Sequence, residues 1–158
     1  GGELLELPQC LPAEVRPVVP AKFRPGELLP VVGSNEVLAN VASRASIVLD
    51  ARSPERFRGE AEPFDPVAGR VPGAVNRPVA RNLARDGTFK PADELRAELS
   101  AMLGSRDATQ VIHMCGSGVT ACHNMLAMEV AGLSGGRLYA GSWSEWCADS
   151  SRPVATGA

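Results

Sequence analysis

The chain has 158 residues, 44% of them hydrophobic and 22% charged, with a formal net charge of −2. A domain of this size buries roughly two-thirds of its unfolded surface, so it needs neither a disulfide framework nor a structural metal to fold. The slightly acidic balance argues against a dedicated binder of nucleic acid or anionic membrane. No apolar run approaches the ~20 residues of a membrane span, and the N-terminus has no signal-like pattern. A soluble, cytoplasmic protein is the expectation.

Residues 1–30 read as a linker on the surface. Pro8, Pro12, Pro17, Pro20, Pro25 and Pro30 recur too often for a helix or a central strand. From there, residues 31–158 alternate between helical and strand patterns. Ser34 or Asn35 is placed to cap a short helix through Leu38 and Val41. Ser46 to Asp50 is a β-branched apolar run of strand length. Ser53-Pro54-Glu55 has the form of an N-cap with proline at the first helical position, opening a short helix over Arg56 and Phe57. Arg70 to Asn76 turns and then extends briefly. Pro91 to Leu103 is the clearest amphipathic helix, with Ala92, Leu95, Leu99, Met102 and Leu103 on one face and Gly104 as its stop. Gln110 to Met114 is a strand ending at Cys115, Thr120 to Ala131 a helix stopped by Gly132, Arg137 to Ala140 a strand, and Ser142 to Ala148 a helix. Alternating strands and helices predict an α/β fold, a mostly parallel sheet with helices on both faces.

The four cysteines are Cys10, Cys115, Cys122 and Cys147, without a C-x-x-C pair. His113, Cys115, Cys122 and His123 crowd one stretch, but their spacing is not that of a zinc site, so no metal is expected. Cys115 is the informative one, because Cys-Gly-Ser-Gly-Val-Thr follows a strand and opens a helix. Ligands of open α/β sheets bind beyond the carboxyl ends of strands. Two glycines let the backbone curl until successive N–H groups surround the sulfur, and the helix adds its positive end. Both effects favour a thiolate, the nucleophilic form. A buried structural cysteine is the plain alternative. A cysteine phosphatase is excluded, because its phosphate-gripping arginine would stand where this chain has Ala121.

The remaining residues have simpler expectations. His113 is expected on the opposite side of its strand from Cys115, as a satisfied histidine and not a base. Cys122, Met125 and Leu126 are expected in the core, and Trp143 and Trp146 against the sheet. His123 is read as either near the loop or exposed.

Three motifs together resemble the rhodanese (sulfurtransferase) family. They are Asp50-Ala51-Arg52 with Gly69-Arg70-Val71-Pro72-Gly73-Ala74-Val75-Asn76, then Cys115-Gly116-Ser117-Gly118-Val119-Thr120, then Gly141-Ser142-Trp143-Ser144-Glu145-Trp146. The loop is similar to that of the 3-mercaptopyruvate branch; thiosulfate-preferring members typically carry basic residues at Gly116 and Ser117. The resemblance implies a Cys115 persulfide, with Arg56 and the loop residues Gly116, Ser117, Gly118, Val119 and Thr120 binding a small anionic donor. Ser117 matches a serine proposed to assist the mercaptopyruvate reaction. The acceptor would be a thiol, thioredoxin or cyanide, with no metal or organic cofactor and no nucleic-acid or membrane partner. Thiosulfate as donor, or a non-enzymatic module of the same fold, are the alternatives. Residues 1–25 look like the tail of a first rhodanese repeat with its linker, so an N-terminal repeat is a further expected partner. Two positions depart from the pattern. Phe64-Asp65 stands where mercaptopyruvate enzymes often carry a second arginine, and Arg70 replaces a histidine.

Overall fold

Two buried strands set the frame, and a computed structural model describes residues 29–157 around them. The expected linker and Cys10 therefore fall almost wholly outside the described residues. Strand β1 (Ile47–Asp50) and strand β3 (Val111–Met114) are buried along their whole length, as continuous apolar runs require. They pair in parallel, from Ile47 opposite Val111 to Asp50 opposite Met114. Two short strands flank them, β2 (Val75–Asn76) beside β1 and β4 (Arg137–Leu138) beside β3, giving the order β2-β1-β3-β4. These three strand pairings are all parallel.

Helices cover both faces. Val37 of α1 (Ser34–Ser43) and Trp143 and Trp146 of α5 (Ser142–Ala148) pack with Val48, Ile112 and Met114. On the other face, Leu95, Leu99 and Leu103 of α3 (Ala92–Leu103) join Met128 of α4 (Val119–Val130) over Ile47, Leu49 and Val111. Alternation along β1 and β3 thus feeds two separate cores. The short helix α2 (Pro54–Arg58) buries no residue, and it carries Arg56 to the carboxyl end of the sheet. No helix among the described residues is long and apolar enough to cross a membrane.

Several local expectations change. Gly33 takes the N-cap of α1, and Ser34 is its first residue. Met102 is only partly buried and Ala92 lies exposed at the free end of α3. Cys122 and Leu126 are exposed, because the apolar stripe of α4 runs through Ala121, Met125 and Met128. His113 shares a face with Val111 and Cys115, since residues two apart on a strand point the same way. It is fully buried, and neither ring nitrogen has a hydrogen-bond partner.

Candidate active site

Cys115 leaves β3 at the carboxyl end of the sheet and is 1% exposed. The start of α5 holds the chain there. The Trp143 N–H donates to the Cys115 carbonyl at 3.0 Å and the Ser144 N–H to the Gly116 carbonyl at 2.9 Å. The Ser144 hydroxyl donates to the same Gly116 oxygen at 2.9 Å. In return the Cys115 N–H donates to Ser142 Oγ at 3.1 Å, and that hydroxyl donates to the Tyr139 carbonyl at 2.9 Å. Ser142 does this from a left-handed backbone, φ 52°, unusual for a non-glycine residue. No sequence pattern singled out Ser142 for this role.

With its carbonyls turned to α5, the loop keeps its N–H groups uncommitted. Among the described residues, the N–H groups of Gly116, Ser117, Gly118, Val119 and Thr120 have no acceptor. They belong to the loop and first turn of the 12-residue α4, where the helix dipole is positive. Gly118 makes the turn possible. Its φ is +83°, and a Cβ there would lie 2.5 Å from the Ala140 carbonyl oxygen.

A cavity of about 280 Å³ opens beside the sulfur. All the predicted site residues line it except Gly118, which is buried against Ala140. Phe64, Asp65 and Ser144 complete its wall. The first two were visible only as a departure from a family pattern, and Ser144 was not singled out.

Charge enters the cavity along a chain of ion pairs. Arg52, buried at the end of β1, grips Asp50 with Nη2 at 2.8 Å and reaches Glu62 with Nη1 at 3.3 Å. It also donates to the Gly69 carbonyl at 2.7 Å and lies 4.6 Å over the Trp143 ring. Glu62 then accepts from Arg56, at 3.1 Å from Nε and 2.6 Å from Nη2. Arg56 Nη2 lies 3.4 Å from Asp65, and its guanidinium stacks 4.9 Å over Phe64. Glu62 thus fills the Nε/Nη2 fork of the guanidinium that was expected to bind an anionic donor. The guanidinium edge faces the loop, with Nη1 3.3 Å and Nη2 3.4 Å from where a Cβ on Gly116 would stand, and Nη1 is the nitrogen that makes no hydrogen bond among the described residues. Burial pushes the Asp50 carboxyl up against the opposing pull of Arg52. Burial also pushes Glu62 up, but the hydrogen bonds from Arg56 and the Phe64 N–H, with the nearby guanidinium charges, hold it below the usual range.

The other titratable groups play different parts. Burial, with the charge of Asp65, pushes the Cys147 thiol up and keeps it in the protonated, poorly nucleophilic form. His123 stacks on Phe89 and its Nδ1 lies 3.1 Å from Asn82 Nδ2, so it takes part in packing. Arg70 donates to the Gly157 carbonyl at 2.6 Å and stacks 4.7 Å over Phe57, which fits a structural role for that departure. Among the described residues, no group of three or more His, Cys, Asp or Glu side chains is placed to hold a metal ion.

Comparison with known proteins identifies relatives of the chain. Over 110 residues the chain is 54% identical to a Pseudomonas aeruginosa protein named "Probable 3-mercaptopyruvate sulfurtransferase", covering 70% of this chain and 39% of the relative. It is 49% identical over 110 residues to "Putative thiosulfate sulfurtransferase SseB" of Mycobacterium tuberculosis, covering 70% and 38%. The chain spans about two fifths of the length of these curated relatives. The crystal structure of Tum1 protein from Saccharomyces cerevisiae superposes with a TM-score of 0.68 at 32% identity, over 80% of this chain and 46% of that one. The rhodanese-like domain matches residues 34–149, spanning both cores and the Cys115 loop, and the chain belongs to that family.

Proposed function

We propose that this chain is the catalytic repeat of a tandem sulfurtransferase that moves a sulfane sulfur from 3-mercaptopyruvate to a thiophilic acceptor through a Cys115 persulfide. The observation that carries the reading is the uncommitted run of N–H groups from Gly116 to Thr120 directly following a cysteine on a cavity wall. Such a nest stabilises a negative sulfur before and after transfer.

The Cys115 thiolate attacks the donor sulfur. A sulfur–sulfur bond forms, the donor carbon–sulfur bond breaks, and its electron pair leaves as the enolate of pyruvate, which takes up a proton. An acceptor thiolate, such as that of thioredoxin, then attacks the outer sulfur and Cys115 leaves as thiolate. This is covalent catalysis in two half-reactions. Arg56 Nη1 orients the donor carboxylate, the loop N–H groups hold the transferred sulfur, and the exposed Ser117 hydroxyl hydrogen-bonds the donor. Gly116 in place of a bulkier residue leaves Arg56 room beside the loop.

In the same proposal, residues 1–30 comprise the tail of a first rhodanese repeat and a linker, which the greater length of the relatives supports. A cytoplasmic location fits the free thiols of Cys115, Cys122 and Cys147. A donor comparison tests the reading. Turnover with 3-mercaptopyruvate well above that with thiosulfate is expected. Preference for thiosulfate would move the chain to the other branch, and failure with both would favour a non-enzymatic module.

A further inference from the structure

The cavity beside Cys115 has a charge pattern that suits more than a purely anionic donor. Its one cationic side chain among the described residues, Arg56, is flanked by carboxylates on two sides, Glu62 in its fork and Asp65 at 3.4 Å. Glu62 sits behind the guanidinium, with 3% of its side chain exposed. Asp65 forms part of the cavity wall itself, its side chain 10% exposed. A donor occupying this cavity shares it with that carboxylate, in a recess where charges are less screened than in bulk water.

We infer that Asp65 selects donors by charge and extends the donor range beyond 3-mercaptopyruvate to a zwitterionic class, an α-amino-acid hydropersulfide. In that class the ammonium and carboxylate share one carbon, so the ammonium meets Asp65 while the carboxylate meets Arg56 Nη1. The sulfur chemistry needs no other reactant. The Cys115 thiolate attacks the outer sulfur, a new sulfur–sulfur bond forms, and the donor's own sulfur–sulfur bond breaks. The electron pair leaves on the amino-acid thiolate, and hydrogen stays on the transferred sulfur. The donor class rests on the sulfurtransferase reading, whereas the charge rule rests on the cavity alone.

The test therefore has two arms, each on the protein and on Asp65→Asn. In the first, Cys115 is modified with methanethiosulfonates bearing either an ethylammonium or an ethylsulfonate group, and the rates are read by peptide mass mapping. The substitution should slow the cationic reagent and speed the anionic one, moving the ratio of rates at least about fivefold. Equal shifts for both reagents, or none, would mean that Asp65 acts by shape and would overturn the charge rule. In the second arm, kcat/KM is measured with thiosulfate, 3-mercaptopyruvate and cysteine hydropersulfide. Asp65→Asn should raise the value for thiosulfate most and lower that for the hydropersulfide. A rise for the hydropersulfide matching that for thiosulfate overturns the donor class. A shifted reagent ratio with no turnover of any donor overturns the sulfurtransferase reading and leaves the charge rule standing.

Discussion

Arg77 and Arg56 both sit in networks of hydrogen-bonded side chains, one within the fold and one at its rim. Arg77, 2% exposed, donates to Asn82 Oδ1 at 2.8 Å and to Glu98 at 3.0 Å. Asn82 donates to Asn124 Oδ1 at 2.6 Å, and Asn124 returns to the Arg77 carbonyl at 2.9 Å. That circuit closes on itself and ties the 3₁₀ turn Val79–Asn82 to α3 and α4. The Arg56 network starts as firmly, from Asp50 and Arg52, but ends at Asp65 on the wall of a cavity. A closed circuit of buried polar groups specifies packing. An open one leaves charged groups on a cavity wall, where the proposed donor would meet them.

The two networks should break differently. Arg77→Ala leaves Asn82 without its donor and Glu98 without its guanidinium, and should cost about 3 kcal/mol of stability. Urea unfolding would measure that loss, while kcat/KM at a temperature where the variant stays folded should remain within about twofold. Equal damage to both would mean that the circuit also shapes the site.

His113 sharpens the contrast, because it is buried with neither a closed nor an open network. Burial holds its pKa down at about 4, against an ordinary 6.5. Above about pH 6.5 the imidazole is neutral in folded and unfolded chains alike, and stability is at its full value. As pH falls from there toward 4 the unfolded chain takes up the proton first, so stability is lost through that window. The loss is on the order of 3 kcal/mol. His113→Met should lack this component of the acid dependence when unfolding midpoints are compared across pH. The same slope in both proteins would mean that His113 finds a partner after all.

The smallest effect is at the rim. Arg56→Ala should cost about 1 kcal/mol of stability, since Glu62 keeps Arg52 and the Phe64 N–H. It should nonetheless lower kcat/KM about tenfold, close to 1.4 kcal/mol of transition-state binding. A change within about twofold would mean that the loop N–H groups alone bind the donor.

What could be seen in advance follows the range of the interactions involved. The spacing of Leu95, Leu99 and Leu103 and the apolar runs of β1 and β3 are local signals, and those elements form where the periodicity placed them. The Cys115 loop was legible for the same reason, a strand, two glycines and a helix in one stretch. The strands β2 and β4 contain only two residues each and carry no period of their own. Cys122 and Leu126 went astray because helical spacing alone does not say which of two apolar stripes faces inward. Phe64, Asp65 and Ser144 reach the cavity from segments far from Cys115 in sequence, and Ser142 acts through a backbone bond and a positive φ. These depend on tertiary placement, which neither periodicity nor spacing encodes.

The central claim is that Cys115 alone carries the transferred sulfur. The intact masses of the protein and of Cys115→Ser, each treated with 3-mercaptopyruvate and left without acceptor, test it directly. The account predicts a gain of one sulfur atom in the first, mapped to the Cys115 peptide, and no gain in the second. A sulfur adduct that persists in Cys115→Ser, or that maps to Cys122 or Cys147, would contradict it.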